Sequence, residues 1–247
     1  MAYYDSIAKR WHETTGPKGG AFKELVLNNI LLEKLPGIDR RSILELGGGN
    51  GYFLPLVLRR FSGQAPSSIT VTDLSPRLLE IAQRHFGMPD AGYQVLDVRR
   101  PFPFDNGQFD LVIASMLFNE VPSRGFRNAL GECFRVLSSA GLLLIAVTHP
   151  DFISSLRRRG LLKAAREGVL TMPGSGSLRL PVVIRSLGSY RSSLQAAGFQ
   201  YEEEEGYPTP EVLDAKAGLR NAWKVPVALV YTCRRAGSGE RPRPRPQ

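Results

Sequence analysis

The stretch ILELGGGNGYF, residues 43–53, decides the fold. An apolar run carrying an acid, Glu45, opens into a loop with glycine at 47, 48, 49 and 51. Glycine loops between a strand and a helix commonly hold a phosphate or a nucleotide. A P-loop requires Lys-Ser/Thr after its last glycine, and no such pair follows. A dinucleotide loop needs G-x-G-x-x-G/A, its last small residue letting helix pack on strand. Counted from Gly47 that place is Tyr52, and the loop holds no basic residue for a pyrophosphate. What remains is Gly47-x-Gly49-x-Gly51, a loop that lets a ligand press on the backbone without demanding an anion. Glu45 beside it suggests a positively charged ligand group.

Outward from this loop, strand and helix patterns alternate. SILELG, SITVTDL, GYQVLDV, FDLVIAS and GLLLIAVTH read as five strands. YFLPLVLRRF, SPRLLEIAQRHF and SRGFRNALGECFRVL read as helices, the second with Ser75 as N-cap and Pro76 at its first position. The alternation predicts an α/β fold, a parallel sheet with helices on both faces. Ligands in such sheets bind at the carboxyl ends of the strands. Asp73 ends the second strand, where a carboxylate accepts both hydroxyls of a ribose. Asp97 ends the third, and with the Val98 N–H it makes a clamp for an adenine edge. Before the first strand, residues 20–35 show helical spacing, ended by Pro36-Gly37. After Pro150, DFISSLRRRGLLKAAREGVL reads as helical, MPGSGS as a loop, LRLPVVIR as extended and LGSYRSSLQAAGF as a helix; QYEEEEGY and PVALVYTCRR close the chain's strands.

In spacing and order, LELGGGNG, VTDLS, LDVRRPFPFDNGQFDLVIASMLFNEVP and ALGECFRVLSSAGLLLIAVTHP, spanning Ile43 to Pro150, resemble class I S-adenosylmethionine-dependent methyltransferases. Within that class the chain looks most like small-molecule enzymes of the quinone-biosynthesis type. YYDSIAKRWHE and YRSSLQAAGFQYEEEEGYPTPEV are similar, more loosely, to their N-terminal aromatic segment and carboxy-terminal part. The resemblance implies a Rossmann-like, doubly wound, seven-stranded sheet, mostly parallel with an antiparallel last strand. On this reading residues 1–42 form an N-terminal helical lid and 43–233 the cofactor-binding domain. Residues 151–187 form a substrate-cap insertion after the fifth strand, and 234–247 a disordered basic tail. The resemblance further implies S-adenosyl-L-methionine as cofactor. Gly47, Gly49 and Gly51 would pass its methionine moiety, with Glu45 and the Ser115 carbonyl near its ammonium. Asp73 would hold the ribose, Leu74 would pack on adenine, and Asp97 and Val98 would fix the adenine edge. Met116 would pack at the cofactor, and Tyr4 and Trp11 would close over it. Family members often carry a His pair where this chain has Asn119-Glu120, so the acceptor chemistry stays open.

Methyl transfer from a sulfonium needs alignment and desolvation above all. A base helps only when the acceptor has a proton to lose. His149, at the edge after the fifth strand, is the first candidate base; a strand-end histidine bonded to backbone is its plain alternative. Glu120 and Asn119, after the fourth strand, are candidates to act as base or to orient an acceptor. His12 in the lid is a further candidate, against a surface or packing role. No metal site is expected: the quartet Glu202–Glu205 lacks a partner His or Asp. The fourth-strand loop, SMLFNEVP, is not an Asn/Asp-Pro-Pro-Tyr loop, and no Pro-Cys nucleophile appears, which disfavours nucleic-acid methylation. A non-methylating pericyclase, cyclase or binding module would keep the same cofactor residues and is the main rival.

The 247 residues allow one large domain, and no run of about 20 apolar residues predicts a membrane span. The N-terminus lacks the apolar core of a secretory signal. The two cysteines lie far apart, which fits a reducing cytoplasm. Net charge is +9, but residues 234–247 hold five arginines against one glutamate, and Arg157–Arg159 suit a solvated helix face. The expected partner is a small-molecule acceptor, without membrane or nucleic acid, and a homodimer is the assembly to test.

Overall fold

The computed structural model describes residues 3–20, 22–35, 42–60, 66–87, 91–164, 170–173, 178–210 and 225–236. Of the tail expected to be disordered, 234–247, residues 237–247 lie outside these, whereas Arg234 and Arg235 belong to the last strand.

The chain opens with helix α1 (Tyr3–Thr15), a π-helical turn (Lys23–Leu27) and α2 (Asn28–Glu33). Strand β1 (Ser42–Leu46) leads through the glycine loop to the short α3 (Leu54–Leu58). Then come β2 (Ser68–Asp73), α4 (Pro76–Phe86), β3 (Ala91–Val95), β4 (Phe109–Ser115), α5 (Ser123–Val136) and β5 (Leu137–Thr148). Helix α6 (Pro150–Arg158) is followed by three short strands, β6 (Lys163–Ala164), β7 (Leu170–Pro173) and β8 (Arg179–Val182). Helix α7 (Leu187–Ala196), β9 (Phe199–Gly206) and β10 (Ala228–Arg235) complete the fold.

Seven strands form one sheet in the order β3-β2-β1-β4-β5-β10-β9. β1 to β5 pair in parallel, and β10 runs antiparallel to both β5 and β9. The order reverses between β1 and β4, which opens a crevice at their carboxyl ends. Leu111 to Ala114 of β4 are fully buried, as a strand covered on both faces must be. One face packs Phe126, Leu130 and Cys133 of α5 with Tyr190 and Leu194 of α7. The other packs Leu27, Leu31, Val57 and Leu79 from the π-turn, α2, α3 and α4. Both cysteines are buried free thiols in the first of these layers. Ser75 caps α4 as its sequence predicts, its hydroxyl accepting the Leu78 N–H at 3.2 Å.

Three expectations shift. The helical reading after Pro150 holds only to Arg158: Gly160 adopts φ +65° and turns the chain away. Beyond it β6, β7 and β8 make a separate antiparallel sheet over a small core of Ile153, Leu156, Met172 and Val182. β3 ends at Val95, so Leu96 to Val98 leave the sheet while the Leu96 N–H bonds the Asp73 carbonyl at 3.0 Å. β10 runs to Arg235, past the expected domain end at 233, because its last residues still pair with β9.

Candidate functional site

All of the sequence-predicted site residues except Gly51, His12 and His149 line one cavity, of about 340 Å³, at the carboxyl ends of β1, β2 and β4. Its walls come from the glycine loop, the turn after β3, the loop after β4, the N-terminal helices and the β7–β8 hairpin.

Glycines 47 and 49 reach the cavity with φ of +66° and +59°, a left-handed conformation that a side chain would strain. Gly51 serves another purpose. A Cβ there would come within 2.7 Å of Ala82 Cβ, so this glycine seats the loop against α4 and does not line the cavity. That is the close-packing role which counting from Gly47 had put at Tyr52. Tyr52 instead lies buried, next to Gly19 of the N-terminal segment.

Glu45 projects from β1 into this crevice, nearly fully buried, and its Oε2 has no hydrogen-bond partner among the described residues. Burial pushes its carboxyl up to about 8, with Lys23 pulling it down and Asp73 pushing it further up. Asp73 accepts the Gly49 N–H at 3.0 Å and the Ser75 N–H at 2.9 Å, one on each oxygen. Burial raises its carboxyl too, against those bonds. An ionised carboxylate has about four lone-pair sites, more than these backbone donors take up. Leu74 lines the cavity with 43% of its surface open, a free apolar face. Asp97 is gripped by Arg99, whose Nε and guanidinium reach its two oxygens at 2.8 Å each. That arginine holds the carboxyl below its usual range. Val98 is buried beside it in the cavity wall.

The loop after β4 is braced from below. Met116 takes φ +61°, the one non-glycine residue at positive φ among the described residues. The Asn119 amide fixes it, donating to the Met116 carbonyl at 3.2 Å while its Oδ1 accepts the Thr148 N–H at 2.8 Å. Asn119 is therefore spent on backbone, and the expectation that it orients an acceptor or acts in the chemistry gives way to a bracing role. Arg185, buried, donates to the Phe118 carbonyl at 2.9 Å and the Val121 carbonyl at 2.6 Å, so it clasps the loop on either side of Asn119-Glu120. The loop thereby presents Glu120 to the cavity, where Tyr4 of α1 donates a hydrogen bond to its Oε1. Burial pushes the Glu120 carboxyl up to about 8, with the Tyr4 bond and Lys23 pulling it down and Asp73 pushing it up. Ser115 ends β4 at the same wall.

Two histidines fall elsewhere. His149 is fully buried as N-cap of α6: its Nδ1 accepts the Asp151 N–H at 3.1 Å, and its Nε2 lies 3.4 Å from Glu205 Oε1. It does not line the cavity, so its expected role as general base is withdrawn. His12 stacks on His85 with ring centroids 4.4 Å apart and meets the Asn50 amide at 3.2 Å, joining α1 to α4 and the glycine loop. Burial, then the His85 charge, lowers its proton affinity, and it too does not line the cavity.

Sequence reading missed several wall residues. Lys23 stood out only as a charge at the head of an apolar run. Arg99 follows Asp97 closely enough to be suspected, whereas Arg185 reaches its carbonyls across more than 60 residues and has no sequence signature. Phe152, Met172 and Leu180 form an apolar end of the cavity that depends on the small sheet. Among the described residues no cluster of three His, Cys, Asp or Glu side chains is placed to hold a metal, and no helix is long and apolar enough to cross a membrane.

The donor set suits a nucleoside with a charged amino-acid head: an unpartnered buried carboxylate, a second carboxylate with accepting capacity to spare and an open apolar face in the same cavity. Residues 43–141 match the family model described as a methyltransferase domain. The chain is 26% identical over 135 residues to an uncharacterised protein of Haemophilus influenzae, covering 53% of this chain and 51% of that one. It is 26% identical over 189 residues to the demethylmenaquinone methyltransferase of Thermus thermophilus, covering 76% and 74%. The chain thus spans about half the length of the first of these relatives and about three quarters of the second. The crystal structure of an S-adenosylmethionine-dependent methyltransferase from Mesorhizobium loti shares the fold with a TM-score of 0.65 at 22% identity, over 89% of this chain and 100% of that one. Sheet order and glycine loop agree with these likenesses: residues 43–141 are similar to a methyltransferase domain, on the fold shared with that S-adenosylmethionine-dependent methyltransferase.

Proposed function

We propose that the protein transfers a methyl group from S-adenosylmethionine to a small, hydrophobic organic acceptor. One observation carries the reading: Glu45, Gly47, Gly49, Asp73 and Asp97, from three consecutive strand ends, meet in the same cavity as Glu120 and an apolar wall. When bound, the cofactor supplies a sulfonium-activated methyl group for in-line displacement. Glu45 meets the ammonium of its amino-acid head, Asp73 the ribose hydroxyls, and Asp97 with Val98 the adenine edge. Leu74 and Met116 exclude water from the same ligand, and Tyr4 and Trp11 of α1 close over it. Residues 1–42 act as the lid and the β6–β8 region as the substrate cap.

The acceptor lies between Glu120 and the apolar end made by Phe152, Met172, Leu180 and Pro181. Quinone-like compounds fit that description, as the Thermus relative's name suggests. Glu120 takes the proton of an acceptor hydroxyl, amine or activated carbon as the methyl arrives. Its raised proton affinity suits a base working near neutral pH.

The test is incubation with methyl-labelled S-adenosylmethionine and a panel of phenols, quinols, enols and amines, alongside calorimetric cofactor binding. Label transfer to a member of the panel supports the proposal. Cofactor binding without label transfer to any of them supports a non-methylating cyclase or binding role, and absence of cofactor binding overturns the assignment.

A further inference from the structure

The cavity holds an ammonium group that the proposed chemistry leaves without a task. Lys23 begins the π-helical turn, the kind of local irregularity that often marks a functional position. Its Nζ lies 4.8 Å from the centroid of the Tyr52 ring and 5.5 Å from that of Trp11, within reach of cation–π attraction to both. The stem is confined as well: a Cβ on Gly19 would come within 2.9 Å of Lys23 Cδ. The ammonium is thus held in place by two aromatic faces, and Lys23 makes no ion pair among the described residues. It feels the charges of Glu120 and Glu45 at longer range, and burial pulls its pKa down to about 8.

A desolvated, fixed cation without a partner asks for an anion. Arg99, the other cation in the cavity wall, is already bound to Asp97 by two hydrogen bonds. An amino-acid head carries two opposite charges a few bonds apart. Glu45 is placed for the ammonium, and Lys23 shares its electrostatic neighbourhood from the N-terminal side.

We propose that Lys23 binds the carboxylate of the amino-acid head of S-adenosylmethionine, so that Glu45 and Lys23 clamp the head by both of its charges. This rests on the cofactor proposed above. Trp11 and Tyr52 hold the ammonium ready, and its engagement draws the segment that carries Tyr4 and Trp11 onto the ligand.

The experiment is calorimetric titration of the full chain with S-adenosylmethionine and with decarboxylated S-adenosylmethionine, which keeps the sulfonium and the ammonium but lacks the carboxylate. The wild-type protein is expected to bind the intact cofactor about 10- to 100-fold more tightly, the range for a charge-assisted hydrogen bond. Lys23→Met is expected to lose that factor for the intact cofactor and to bind the decarboxylated one within about threefold of wild type. Lys23→Arg should recover part of the loss. Equal weakening for both ligands would mean that Lys23 only supports the fold. No weakening for either would place its charge toward the acceptor. Equal wild-type affinity for the two ligands overturns the proposal even if both variants fail to fold. Wild-type protein that binds neither ligand instead sinks the cofactor reading on which the proposal stands.

Discussion

Glu120 owes its proton affinity to its surroundings. Half-buried in the cavity wall and within the field of Asp73, it is a stronger base than a solvated carboxylate, and the Tyr4 hydroxyl moderates it. If it accepts the acceptor's proton, Glu120→Gln lowers turnover by about 10²–10⁴-fold with cofactor affinity unchanged. Turnover of the wild-type enzyme should then rise with pH up to about 8, as the carboxyl ionises. Tyr4→Phe removes a bond that lowers this pKa and should move the limb upward, which a pH–rate profile reads directly. His149→Ala behaves differently. It leaves the Asp151 N–H without its cap and costs about 0.5–2 kcal/mol of stability, while turnover per folded molecule stays near wild type. Thermal melts beside kcat separate the two cases. If Asp73 holds the ribose as proposed, Asp73→Ala costs about 1–3 kcal/mol of cofactor binding by calorimetry, because the diol loses its acceptor.

At the level of elements, the loop after β4 does most to shape the site. It leaves the sheet through a strained Met116, and two side chains from elsewhere hold it. Arg185 takes the Phe118 and Val121 carbonyls and lies over the Phe126 ring, its guanidinium carbon 4.2 Å from the centroid. Arg185→Met leaves two buried carbonyls unpaired and should destabilise the fold by about 1–3 kcal/mol for each carbonyl left without water, measured by denaturant unfolding. Arg185→Lys should recover only part, since a lysine cannot reproduce the planar fork. The central strands β1, β4 and β5 were legible because each carries its own apolar run, and α4 was legible from its Ser75-Pro76 start. β6 and β7 were not. Their residues follow a helix without a pause in the pattern, and only the small core around Met172 and Val182 makes them extended.

Across the whole molecule, the cavity concentrates acids where the fold excludes water. Burial holds the Glu45 carboxyl at about 8 in the folded protein, against an ordinary 4.5. Between those values the native state binds more protons than the unfolded chain. Its contribution to stability is therefore present at low pH and declines as pH rises through the window. Glu45→Gln should raise the melting temperature of the ligand-free protein at pH 9, with the difference shrinking toward pH 5, and should weaken cofactor binding at the same time. Thermal melts across that pH range check both the sign and the window. The outer charges carry less weight: Arg157 to Arg159 are exposed on and just beyond the end of α6, as a solvated helix end requires.

The sequence by itself determined the parallel core, the glycine loop and the acids at the ends of its strands. Those features are local: an apolar run makes a strand, and whatever follows it emerges at one edge of the sheet. Only the tertiary structure decided which groups line the cavity. It turned Gly51 onto Ala82, sealed His149 beneath α6 and spent the Asn119 amide on backbone. It also brought Tyr4 of the N-terminal segment against Glu120 and set Lys23 within the electrostatic reach of Glu45. Burial, hydrogen-bond partners and proton affinity all arise from contacts between distant residues, and no spacing along one chain encodes them.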